Sequence, residues 1–60
     1  MSRELSFKVE EEGDIFIAQC LDEDISSDGL TREEALTNLQ EALALYFDND
    51  DITLIENKRP

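Results

Sequence analysis

The residues of this chain with chemistry to offer are its carboxylates. Asp22, Asp24 and Ser26 stand at alternate positions, the spacing with which a calcium loop opens, and the twelfth residue counted from Asp22 is the acidic Glu33. The sixth position, where such a loop turns on glycine, is Ser27, and Glu33 belongs to the first turn of a helix predicted below, so no dedicated metal site follows. Asp48 to Asp51 is a run of turn-forming residues without spaced ligands. The one thiol, Cys20, lies in an apolar run. With no histidine in the chain it lacks the usual activating base, and it reads as a small buried hydrophobe. The missing imidazole also excludes a Ser-His-Asp arrangement and the zinc sites built with His. The sequence therefore predicts no enzyme, no metal and no cofactor.

The elements that position these groups are read from periodicity. Leu5, Phe7 and Val9 alternate with Glu4, Ser6, Lys8 and Glu10, the pattern of a half-buried strand, and Glu12-Gly13-Asp14 is a turn in which Gly13 is free to take positive φ. A second strand, Ile15 to Leu21, closes an antiparallel hairpin. Ile25 to Asp28 suits a brief third strand and Ile52 to Glu56 a fourth. Between them Thr31 and Glu34 form a capping box, with Leu30 placed to staple onto Ala35. In that box the Thr31 hydroxyl accepts from the Glu34 N–H, and the Glu34 carboxylate returns to the N–H of Thr31. Ala35, Leu36, Leu39, Ala42, Leu43, Tyr46 and Phe47 then recur at intervals of three and four, giving one apolar helix face. The expected fold is α+β: β-β-β-α-β, one helix packed on a mostly antiparallel three- to four-stranded sheet.

Size and charge bound the function. Sixty residues make one domain, 1–60, without a separate DNA-binding unit, and a chain so short buries only about 60% of the surface it exposes when unfolded. Ile15, Phe16, Ile17 and Ala18 are apolar on both sides of strand two, more than one helix covers, and this predicts self-association to a dimer or tetramer. Sixteen acidic residues against five basic ones leave a net charge of −11. Direct nucleic-acid binding needs clustered Lys and Arg, and Arg3, Lys8, Arg32, Lys58 and Arg59 are few and dispersed. Anionic membranes are disfavoured for the same reason, and no apolar run approaches the roughly 20 residues that span a bilayer. A basic protein partner fits such a surface. A single cysteine and no secretory leader at the N-terminal Met-Ser-Arg-Glu point to the cytoplasm.

The succession FKVEEEGDIFIAQC, an acidic and polar stretch, then SSDGLTREEALTNLQEALALY resembles the HicB-like antitoxin domain. Gly29, Thr31, Glu34 and Ala35 match that family's Gly-x-Thr-x-x-Glu-Ala motif, and the likeness runs from about Phe7 to Tyr46. The resemblance implies a trimmed RNase H-like sheet, no enzymatic activity, and neutralisation of a small basic RNA-cleaving HicA-type toxin by covering its RNA-binding and catalytic surface. Asp22, Glu23, Asp24 and Asp28 are the expected partner-binding carboxylates, pairing with Lys and Arg of the toxin. Two other classes of function compete with this one. The first is a stand-alone oligomeric regulatory or interaction domain acting through its sheet edge. The second is a metal-dependent enzyme using carboxylates on the sheet.

Overall fold

In the computed structural model, which describes residues 3–48 and 51–57, the alternating N-terminal segment forms strand β1, Arg3–Glu12. The chain reverses through Gly13 and Asp14. Gly13 has φ 64° and Asp14 has no positive φ, the signs of a II′ turn, whose twist matches that of the flanking strands. This two-residue loop fixes the register of β1 against β2, Ile15–Cys20: Glu12 faces Ile15, Glu10 faces Ile17 and Phe7 faces Cys20. Strand β3, Ser26–Gly29, pairs antiparallel with β2, and β4, Ile52–Glu56, pairs parallel with β1. The result is an α+β fold with a four-stranded mixed sheet in the order β3-β2-β1-β4.

Helix α1, Arg32–Phe47, carries the chain from one edge of this sheet to the other. Its side chains Ala35, Leu39 and Leu43 are fully buried and meet Leu5, Phe7, Ala18 and Cys20 from the sheet. Cys20 is thus a core residue, as its apolar neighbours predict. The helix starts as its sequence requires: Thr31 is extended, and its Oγ1 accepts from the Glu34 N–H at 3.0 Å. It ends on Asp48, whose left-handed conformation, φ 53° and ψ 40°, lets the backbone N–H reach the Ala44 and Leu45 carbonyls.

Several expectations change in detail. The Glu34 carboxylate accepts from the N–H of Leu30, at 2.9 Å, one residue before the expected Thr31. Leu30 keeps 68% of its surface exposed, so the staple onto Ala35 contributes little. Tyr46 points out at 62% exposure, although Phe47, one residue on, packs against the core, and the two rings meet edge to face. Strand β2 is flanked on both sides, so its surplus apolar surface is a face and not an edge. Of the acidic turn at 48 to 51, Asn49 and Asp50 lie outside the described residues, as do Met1 and Ser2 of the N-terminus and Lys58 and Arg59.

The junction of β3 and α1 depends on Gly29. A Cβ there would sit 2.5 Å from the Ala35 backbone nitrogen and 2.9 Å from the Glu34 carbonyl carbon, closer than any side chain is accommodated. Glycine lets the strand meet the first helical turn backbone to backbone. Asn38 fastens the same seam by donating its Nδ2 hydrogen to the Asp28 carbonyl at 2.8 Å.

Candidate functional site

Because α1 covers one face only, the register dictates what the other face displays. Phe16, Ala18 and Cys20 point to the helix with Phe7 and Val9, so Ile15, Ile17 and Gln19 point away from it. On β1 the outward residues are Glu4, Ser6, Lys8, Glu10 and Glu12; on β3 they are Ser26 and Asp28; on β4 they are Thr53 and Ile55. Across the sheet, Ile17 lies between Glu10 and Asp28, and Ile15 lies beside Glu12. Ile15 and Ile17 are half-buried and Ile55 is 49% exposed. This face is an apolar strip with carboxylates on both flanks, the backbones at Glu10 and Asp28 being roughly 10 Å apart across two strand spacings. Among the described residues Lys8 is its one cation and lies 3.5 Å from Glu10, a solvent-exposed pair of small energetic weight.

The four carboxylates expected to bind a partner fall in two places. Asp28 is on this open face, exposed, opposite Ile17. Asp22, Glu23 and Asp24 lie in the β2–β3 connection beyond Cys20, at the opposite end of β3. Asp22 has structural work there. Where β2 runs out, after the Leu21 N–H has bonded the Ser6 carbonyl at 2.8 Å, the Asp22 carboxylate accepts the Ser6 N–H at 2.6 Å and so replaces the next ladder acceptor. Glu23 is half-buried and Asp24 exposed. Glu10 and Glu12, which flank the isoleucines, were missed by the sequence reading. The signal was present: a two-residue loop at Gly13-Asp14 sets Glu10 across from Ile17 and puts both on the face opposite Phe7.

Chemically, such a face suits docking. A basic side chain can lay its aliphatic stem along Ile15 or Ile17 while its head meets a flanking carboxylate, and desolvation by the isoleucines strengthens the pair. Among the described residues no group of three or more His, Cys, Asp or Glu side chains converges to hold a metal ion. No helix of the described residues is long and apolar enough to cross a membrane. Comparisons with protein-family models, with curated proteins and with solved structures find no match to this chain.

Proposed function

We propose that the protein is an antitoxin-like binding module that neutralises a small basic RNA-cleaving toxin of the HicA type, on a trimmed RNase H-like sheet and without enzymatic activity of its own. The observation that carries this reading is the open sheet face, where Ile15 and Ile17 are bordered by Glu10, Glu12 and Asp28 in a chain of net charge −11. A toxin that grips RNA presents Lys and Arg, and a carboxylate-rimmed apolar strip competes for that surface. The motif Gly29-x-Thr31-x-x-Glu34-Ala35 supports the family assignment. Each of its residues also has a physical duty at the β3–α1 junction: close approach, capping, return hydrogen bond and full burial. Asp24 and Asp28, whose carboxylates are exposed, and Glu23 beside them supply the remaining partner contacts. Asp22 contributes chiefly by ordering their loop.

Co-expression with a HicA-type toxin tests the proposal. The complex is expected to copurify, to suppress ribonuclease activity and to loosen as salt rises. Free toxin activity in the presence of excess folded protein would refute it. Binding that ignores salt would favour the stand-alone interaction domain instead.

A further inference from the structure

We infer that the outer edge of β4 is where a second copy of this chain adds, antiparallel, to make one continuous sheet of both protomers. The inference is independent of the antitoxin reading. Its first support is the backbone. Arg3 donates its N–H to the Asp51 carbonyl at 3.1 Å and Asn57 donates to the Phe7 carbonyl at 2.8 Å, so the odd-numbered residues of β4 face β1. By alternation the N–H and C=O of Ile52 and Leu54 face outward, along the edge that no other strand of the described residues occupies. Residues 52–55, Ile-Thr-Leu-Ile, contain no charge, lysine or proline, the usual means of discouraging a strand from pairing there.

The second support is charge. Two copies at −11 each repel, so they can meet only where the local charge is smallest. Beside β4 the carboxylates of Glu4, Glu41, Asp51 and Glu56 are set against two of the five basic residues. Arg32 bonds Glu56 at 2.8 Å, and Arg3 stands in register with Ile52. The other edge, β3, is only four residues long, carries Asp28 within it and follows Asp22, Glu23 and Asp24; a two-fold pairing there would bring these acids together. The third support is room. The helix leans toward β3 and leaves a groove of about 300 Å³ between itself and β4, lined by Thr37, Gln40, Glu41, Ala44 and Ile52. A two-fold axis at Leu54 sets that residue against its own copy, with two N–H···O bonds exchanged between them, and sets Ile52 at the groove of each copy across from Glu56 of the other.

The test is sedimentation equilibrium on the whole chain, with amide hydrogen exchange read at Ile52 and Leu54. The expected mass at high micromolar concentration is twice the 6.9 kDa of one chain, with both amides protected and the protection lost on dilution. A synthetic chain carrying N-methyl-Leu54 should fold and sediment at 6.9 kDa, because among the described residues no strand lies on the side to which that N–H points. If the methylated chain fails to fold, exchange on the unmodified chain decides. Added salt should tighten the dimer, opposite in sign to its effect on a basic partner, so the two readings fail separately. Three results would overturn the inference: a single-chain mass throughout, a dimer whose Leu54 amide exchanges freely, or protection at Leu54 that appears only when a basic partner is added.

Discussion

The two sides of the helix are held by different means. Toward β3, Gly29 brings strand and helix into backbone contact, Thr31 and Glu34 close the cap, and Asn38 bonds the Asp28 carbonyl. Toward β4, Ile52 and Leu54 pack against the core, and the polar ties are a solvent-accessible ion pair, Arg32 to Glu56, and the guanidinium of Arg3 from β1, 4.2 Å from the Phe47 ring centroid, with a groove between. Short-range backbone contacts tolerate little change, whereas exposed charge contacts give way cheaply. The tight side therefore defines the fold, and the loose side is free to be used.

Substitutions from the shared centre outward sharpen this contrast. Leu39, fully buried beneath both sides, is the largest case: Leu39→Ala should cost about 2 to 5 kcal/mol in a urea melt, enough to unfold so small a domain. Next is the tight seam. Gly29→Ala forces a methyl against the Ala35 backbone and should cost about 1 to 3 kcal/mol, despite adding only one carbon. Thr31→Ala, which removes the acceptor for Glu34, should lower stability by about 0.5 to 2 kcal/mol. On the loose side, Arg32→Ala should cost under about 1 kcal/mol, since both partners of its ion pair keep access to water. A urea series in which Arg32→Ala outranks Gly29→Ala would invert the comparison. The smallest change has the opposite sign: Asp48→Gly relieves a left-handed aspartate and should raise the melting midpoint, by under about 1 kcal/mol after the extra freedom of the unfolded chain is counted.

Local features of the tight side were legible in the sequence. Thr31 and Glu34 announce the cap, the three-and-four spacing of Ala35, Leu39 and Leu43 announces the buried stripe, and Gly13 announces the turn. The extents of β2, β3 and β4 fall within a residue of expectation, while β1 extends further, to Arg3 and Glu12. What was not legible is non-local. Nothing in Ile52–Glu56 says that it lies parallel to β1, because alternation gives a strand its faces and not its neighbour. The Asp22 carboxylate on the Ser6 N–H joins residues 16 apart, and no spacing rule reaches that far. The exposure of Tyr46 is likewise absent from a helical wheel, which sets that residue on the same face as Leu39. The partner-facing carboxylates were half legible: Asp28 is on the open face, but the strip it borders became visible only when the hairpin register joined Glu10 to Ile17.

The central claim is that the open face, with its isoleucines between carboxylates, receives a basic protein. The most direct test is calorimetric titration of a HicA-type toxin into the wild-type chain and into Ile17→Ser, a change on the side of the sheet away from the core. Affinity should fall at least about tenfold, on the order of 1.4 kcal/mol, while the urea midpoint moves little. Equal affinity for the two folded chains would contradict the account.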